Sequence, residues 1–202
     1  MLKQSIILLF STLLLTGCGS VHYNNVHMGN DNIPVATKLS TEQKQSISEL
    51  KTALLNLGEN TSEAEATLIA YDSVVYSMIL ANQYKLASPP LYHNYLVNTK
   101  RRPRGLCYHW QRDLISHLKK RKNFKTFDLK EGVSAEGEYW NEHNAMIVTA
   151  KGQPFETGIV LDGWRNSGKL FWVKVTKETK HHWKQRVWKT KKIAKKSIPK
   201  AS

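Results

Sequence analysis

Residues 105–114 read GLCYHWQRDL and place a thiol at the start of an amphipathic helix. Apolar side chains recur there every four residues, at Leu106, Trp110, Leu114 and Leu118. This spacing predicts a helix from about residue 105 to 122 that buries one face. Cys107 lies in its first turn, where unpaired backbone N–H groups and the helix dipole favour a thiolate over a thiol. We therefore expect a polarised cysteine.

The N-terminal segment, residues 1–18, has the features of a secretory signal. Lys3 precedes an apolar run over residues 6–15, which is too short to span a bilayer as a stable helix. The ending Leu-Thr-Gly-Cys resembles the bacterial lipoprotein processing box, which implies that Cys18 is lipidated and becomes the new N-terminus. Gly19 stands where an aspartate would resemble an inner-membrane retention signal, so the resemblance implies the outer membrane. The alternative is an ordinary signal peptide whose Cys18 remains a thiol.

The two cysteines of the chain have different expected fates. With Cys18 lipidated, Cys107 is the only thiol in an oxidising compartment, where unpaired thiols are a liability. A reactive role would account for it. The alternative is a buried, inert structural cysteine.

The charge of the chain indicates anionic partners. Lys and Arg number 30 against 16 acidic residues, which gives a formal net charge of +14 over 202 residues. Outside the cytoplasm, such a charge favours lipid head groups, lipopolysaccharide, teichoic-type polymers or cell-wall material. The sequence contains no aromatic-basic nucleic-acid motif, so we expect no nucleic acid. The length suits one domain with a tether and a tail.

The segments before the cysteine helix are predicted to cover the core. Residues 19–38 lack periodicity and indicate a flexible tether. Within residues 39–88, the pairs Ser40 with Gln43 and Ser62 with Glu65 match capping boxes that open two helices of an antiparallel hairpin. His22 and His27, in the tether, are interpreted as incidental rather than metal ligands.

Residues 89–104 form an irregular aromatic and basic lead-in to the cysteine helix. Asn98 is the nearest side-chain amide that could hold an oxyanion beside the backbone N–H of Cys107. The alternative is a loop asparagine that bonds to its own backbone.

Two strands, residues 143–150 and 155–162, are predicted to follow a strand near residues 123–129. Gly152 and Gln153 match a two-residue type II′ loop. That loop sets a register in which His143 faces Asp162, at a Cβ separation of about 5 Å that suits an imidazole–carboxylate hydrogen bond. It also pairs Ala145 with Val160 and Met146 with Ile159. A bulge at Gly158 would break this register.

Cys107, His143 and Asp162 together supply the nucleophile, base and orienting carboxylate of nucleophilic acyl transfer. Their order, with Gly-x-Cys opening a helix, His beginning a strand and Asp ending the next, resembles the transglutaminase-like branch of the papain-like cysteine hydrolases. The resemblance covers about residues 90–176, within a predicted catalytic core of residues 89–176. It implies an α+β fold in which the cysteine helix packs on an antiparallel sheet, and it gives these three residues their catalytic roles. The superfamily includes peptidases, deamidases, acyl transferases and inactive binding modules, so the reaction stays open.

The C-terminal part is predicted to contain a closing strand over residues 169–175 and then a basic tail over residues 177–202. The tail either binds anionic envelope polymer or membrane, or is a solvated disordered segment, with disorder favoured beyond about Lys189. His181 and His182 are adjacent and cannot both face one metal from a helix or strand, so we expect no site there.

Three functions follow. The leading one is an envelope lipoprotein whose cysteine hydrolase or acyltransferase acts on an amide in a protein or a cell-wall peptide, without a metal or organic cofactor. The second is a non-catalytic adaptor or surface-interaction module with the same fold, in which Cys107 is only a packed thiol. The third is an anchoring protein that works through the basic tail.

Overall fold

The computed structural model describes residues 19–188. The predicted signal segment, its lipidation site Cys18 and the tail from residue 189 onward lie outside the described residues. The described part has a mixed α+β architecture, which confirms that level of the fold prediction.

Within residues 19–188, the chain forms four α-helices and seven β-strands. The helices are α1 (Thr41–Leu55), α2 (Glu63–Gln83), α3 (Pro90–Asn98) and α4 (Cys107–Arg121). The strands are β1 (Val26–Met28), β2 (Pro34–Ala36), β3 (Phe127–Ser134), β4 (His143–Ala150), β5 (Ile159–Asp162), β6 (Phe171–Lys174) and β7 (Lys184–Gln185).

The main sheet has the strand order β6-β5-β4-β3-β7, and all its pairs are antiparallel. Its central strand, β4, is buried along its whole length because both faces of the sheet are covered. Met146 and Val148 pack into the core shared with the helices, whereas Ala145 and Ile147 pack with Trp183 on the other face. A strand buried on both faces has a continuous apolar run instead of an alternating one.

The helical hairpin begins where the capping pairs predict. Ser40 and Gln43 form the reciprocal box, with Gln43 N donating to Ser40 Oγ at 3.2 Å and Ser40 N donating to Gln43 Oε1 at 2.9 Å. Ser62 also caps its helix, accepting from Glu65 N at 3.4 Å. The Glu65 carboxylate does not return to Ser62. It turns inward and accepts hydrogen bonds from the backbone N–H groups of Lys125 and Thr126 and from the Thr126 hydroxyl.

Glu65 therefore joins α2 to the start of β3. We expect Glu65→Gln to lower the free energy of unfolding by about 1–3 kcal/mol, because one amide oxygen cannot satisfy the same buried donors. These hydrogen bonds hold the Glu65 pKa below its usual range although burial opposes them. Urea unfolding at neutral pH measures the loss. Glu63→Gln is the matched control, since Glu63 lies on the same helix and its side chain is exposed. Equal losses in the two variants would contradict the assignment.

Helix α2 is the core of the helical layer. Among residues 19–188 it is the one helix long and apolar enough to cross a membrane, yet 72% of its apolar stretch is buried inside the protein.

The segment expected to be a flexible tether contains structure instead. β1 and β2 pair as a short antiparallel hairpin, and Val26 is buried in the main core. The Asn82 side chain, on α2, accepts from Tyr23 N at 2.8 Å and donates to Tyr23 O at 2.9 Å. Strands of three residues leave no measurable periodicity, so these distant partners decide the conformation.

The lead-in expected to be irregular contains α3. Pro90 occupies its first turn, where the missing N–H costs nothing. His93 and Leu96 are buried beneath the helix, and His93 binds both ends of the segment: Nδ1 accepts from Ala87 N at 3.2 Å and Nε2 donates to Arg104 O at 2.9 Å.

Residues 177–188, predicted as the front of the basic tail, belong to the fold. β7 pairs with β3, and Trp183 is buried against the sheet. Of the two interpretations of the tail, a solvated segment does not describe residues 177–188, because an aromatic side chain and a strand edge bind them to the sheet. The sequence favours disorder only beyond about Lys189, a part of the chain that lies outside the described residues. Deletion of residues 177–202 would thus damage the domain as well as remove the tail.

Candidate active site

Cys107 is the first residue of α4, as the apolar spacing predicts. The turn before it requires Gly105, whose φ of +123° lies in the left-handed region and whose missing Cβ leaves room for the His93 ring. Trp110 Nε1 donates to Gly105 O at 2.9 Å. Trp110, on the buried face of α4, thus stabilises the turn that precedes the helix.

His109 also fixes this turn. Its Nδ1 accepts from Gly105 N at 3.2 Å and from Leu106 N at 3.1 Å. Burial, with the charge of Arg104 nearby, lowers the His109 pKa to about 4. The ring is therefore neutral at physiological pH, as an accepting nitrogen must be.

His143 and Asp162 form a buried pair, with His143 Nε2 donating to Asp162 Oδ2 at 2.7 Å. Asp162 Oδ1 accepts from the backbone N–H groups of Trp164, at 3.0 Å, and Arg165, at 3.1 Å. The carboxylate therefore caps the turn after β5 and orients the imidazole at the same time. Because Nε2 faces Asp162, Nδ1 is the nitrogen left for Cys107.

The predicted register of the two strands is wrong, although the predicted contact exists. Ile147 pairs with Val160 and Val148 with Ile159, a shift of two residues from the expected pairing. The predicted pairs of Ala145 with Val160 and of Met146 with Ile159 do not form. A shift of two keeps every side chain on its face of the sheet. Asp162 consequently remains a diagonal neighbour of His143, within reach of a carboxylate.

The loop between β4 and β5 explains the shift. Gly152, with φ of +74°, is the third residue of a turn closed by Gln153 N donating to Ala150 O at 3.0 Å. A type II′ loop would need glycine in the second position. The turn is followed by a 3₁₀ helix over Phe155–Thr157, which lengthens the connection. Gly158 ends that helix with extended backbone and lies before the paired residues of β5.

The Cys107 sulfur lies among groups that stabilise a thiolate. Asn144 Nδ2 donates to the sulfur at 3.5 Å, and the thiol donates to the Glu142 backbone oxygen at 3.9 Å. Burial raises the Cys107 pKa, but the hydrogen bond and charge of His143, helped by Asn144, outweigh it and leave the pKa below its ordinary value.

His143 shows the complementary shift. Burial disfavours the imidazolium, yet the Asp162 carboxylate and the Cys107 thiolate raise the His143 pKa to about 9. A lowered thiol pKa beside a raised imidazole pKa is the pattern of a thiolate–imidazolium pair.

Aromatic side chains enclose the imidazole. The His143 ring lies 4.6 Å from the His181 ring, 4.8 Å from Trp164 and 5.5 Å from Trp183, measured between ring centroids. Burial, followed by the positive charge of His143, lowers the His181 pKa to about 4. His181 is therefore a neutral neighbour in this wall, a role that its position in the predicted tail did not indicate.

Asn144 is the amide that contacts the sulfur, and sequence reasoning missed it. Arg186, in the C-terminal segment, donates to Asn144 Oδ1 at 3.0 Å and also binds the Glu142 carboxylate. Because its oxygen is held by Arg186, the amide presents its NH₂ group to Cys107. The adjacency of Asn144 to His143 was visible in the sequence, but the contact with Arg186 was not.

Asn98, the oxyanion candidate, is the last residue of α3, and its exposed side chain lines the cavity beside Cys107. Within residues 19–188 its side chain makes no hydrogen bond to Cys107. The structure brings together Cys107, His143 and Asp162, and leaves Asn98 on the cavity wall.

A cavity of about 680 Å³ opens beside Cys107. Much of its wall is apolar and exposed: Tyr139, at 78% exposure, and Trp140, at 85%, line it together with Leu91 and Tyr95. A second hollow of about 300 Å³ is lined by Arg186 and shares Tyr108, Glu142 and Asn144 with the first. Open space therefore lies on both sides of Glu142 and Asn144, next to the thiol.

Among residues 19–188, no three His, Cys, Asp or Glu side chains cluster as metal ligands would. Comparison of the chain with protein-family models, with curated proteins and with solved structures found no match.

Proposed function

We propose that this chain is a bacterial envelope lipoprotein whose domain cleaves, or transfers acyl groups from, an amide in a protein or cell-wall peptide. The observation that carries the proposal is the position of Cys107 at a helix N-terminus beside an open cavity, together with the buried His143–Asp162 pair, whose imidazole lowers the thiol pKa.

The three side chains have the parts needed for the chemistry. The Cys107 thiolate attacks the amide carbonyl carbon, and the C–N bond breaks as His143 gives its proton to the leaving amine. A thioester remains on Cys107. Water or a second amine, deprotonated by His143, then attacks the thioester and releases the thiolate. Asp162 holds the imidazole by its Nε2–H throughout.

Two donors are available to the oxyanion that forms during the attack. The Cys107 backbone N–H, in the first turn of α4, has no partner within the helix. The Asn144 amide, held by Arg186, is a side-chain donor in contact with the sulfur. We assign the oxyanion-binding role to Asn144 ahead of Asn98.

The order of the elements supports placing the domain with the transglutaminase-like branch of the papain-like hydrolases. The cysteine opens α4, the histidine begins β4, the aspartate ends β5, and α4 packs on β4. Lipidation of Cys18 would anchor the domain, and a location at the outer membrane follows from Gly19.

The test is the pH dependence of iodoacetamide alkylation in the full chain carrying Cys18→Ser, so that Cys107 is the only thiol. We expect a single ionisation with an apparent pKa below the roughly 8.5 of a free thiol, because the imidazolium stabilises the thiolate. The Cys18→Ser chain should gain the mass of one acetamide adduct, and the Cys18→Ser/Cys107→Ala chain should gain none, which verifies that Cys107 is the site. An apparent pKa at or above that of a free thiol would overturn the catalytic proposal and leave the non-catalytic binding module.

A further inference from the structure

The chain enters the described fold directly beside α3. Ser88 N donates to Gly19 O at 2.9 Å, and Val21 N donates to Leu86 O at 2.8 Å. Residue 19 is therefore already fixed to the segment that leads into α3. A lipid on Cys18 would be one residue, about 3.8 Å along the chain, from this point.

Helix α3 turns an apolar face away from the protein. Leu91 is 71% exposed and Tyr95 is 51% exposed, one helical turn apart, and Tyr92 lies beside them. His93 and Leu96, on the other side, are buried. We call Leu91, Tyr92 and Tyr95 the α3 face.

Basic side chains lie in the segments that flank α3. Residues 73–112 contain no Asp or Glu, and Lys85, Lys100 and Arg101 are exposed there. Among residues 19–188 none of these three has a carboxylate oxygen within 4.0 Å. The Arg101 guanidinium lies 5.8 Å from the Tyr95 ring.

We propose that the α3 face docks on an anionic phospholipid bilayer, with its apolar side chains in the interfacial layer and its basic neighbours on the head groups. Tyrosine and leucine suit the interface, and lysine and arginine near it are attracted to anionic lipid. The point of chain entry favours this occupant over a protein partner, because the anchor of the proposed lipoprotein would hold this face against the bilayer.

The docked orientation bears on the substrate. Leu91 and Tyr95 also line the cavity beside Cys107. The cavity therefore opens at the bilayer surface, and the thiol faces amides presented close to the membrane. This part of the inference rests on the proposed function, whereas the docking itself does not need an active thiol.

The experiment measures the depth of one side chain in the membrane. The lipidated full chain carries Cys107→Ser and Leu91→Cys, is labelled with a fluorophore and is reconstituted in phosphatidylcholine vesicles with or without phosphatidylglycerol. We expect nitroxide-labelled lipid to quench position 91 several-fold more than a label at Lys119→Cys, an exposed position near the other end of α4. Phosphatidylglycerol should strengthen the quenching, and Lys100→Gln/Arg101→Gln should weaken it. The matched control, Lys120→Gln/Lys125→Gln, should leave it unchanged.

Equal, weak quenching at both positions would overturn the proposal and leave the α3 face for a protein partner. Quenching that requires lipopolysaccharide and is absent with phosphatidylglycerol would also overturn it. The intact mass of the chain reports the lipid on Cys18 independently. If the lipid is absent, the proposed anchor fails, and quenching in a chain that also carries Cys18→Ser, mixed with the same vesicles, still decides the docking surface.

Discussion

His143→Ala is expected to slow alkylation of Cys107 at pH 6 by roughly 100-fold, because the variant removes the imidazolium that holds the thiolate. With His143 present, the thiol pKa is lowered despite burial. Without it, burial acts unopposed except by Asn144 and the helix terminus, and the pKa returns to or above that of a free thiol. The measurement is the rate of iodoacetamide adduct formation in the Cys18→Ser chain from pH 5 to 10.

A second buried histidine provides the control for this result. His117 lies on α4, the helix of Cys107, and its Nε2 is 3.0 Å from the Oδ2 atom of the buried Asp72 carboxylate. His117→Ala therefore removes a similar buried pair without touching the thiol. It should lower stability and leave the alkylation profile unchanged. If the alkylation rate of His143→Ala depends on pH as that of the wild-type chain does, the assignment of His143 as the base is wrong.

Asp162→Ala is expected to lower the free energy of unfolding by about 3–5 kcal/mol near pH 5.5, because it leaves the buried His143 imidazolium without its counter-charge. Asp162 accepts from His143, from two backbone N–H groups and from the Arg165 guanidinium. Urea unfolding followed by circular dichroism measures the loss. Asp128→Ala is the control, since Asp128 makes a partly exposed ion pair with Lys151 worth about 1 kcal/mol or less.

The loss should depend on pH in a defined direction. The folded His143 pKa, about 9, is above its unfolded value of 6.5, so the stability it contributes is complete below pH 6.5 and disappears as the pH rises through 9. The Asp162 pKa is lowered instead, so its contribution is present above the unfolded value of 3.8 and disappears in acid. The cost of Asp162→Ala should thus be largest between about pH 4 and 6.5 and smaller at pH 9.5, by on the order of 2 kcal/mol. A cost that does not change with pH would contradict an ionised pair.

Local signals in the sequence predicted the starts of α1, α2 and α4, but they did not predict α3. The spacing of Leu106, Trp110 and Leu114 placed α4, and the Ser40–Gln43 box placed the start of α1 within a residue. These features succeed because capping and one-sided burial act between residues three or four positions apart.

The sheet register depended on a loop whose conformation the sequence did not determine. Gly152 fits either a type II′ or a type II turn, and the 3₁₀ helix at Phe155–Thr157 decided the outcome. The contact of His143 with Asp162 nevertheless formed, because an even shift preserves the face on which both side chains lie.

The sequence by itself determined the helix that opens at Cys107, the strand positions of His143 and Asp162, and the excess of positive charge. The tertiary structure alone decided that residues 177–188 cover the sheet, that Arg186 orients Asn144 toward the sulfur, and that the chain enters beside α3. These contacts join residues far apart in sequence through single hydrogen bonds or one buried aromatic ring. No periodic pattern records such contacts, so they are visible only once the chain is folded.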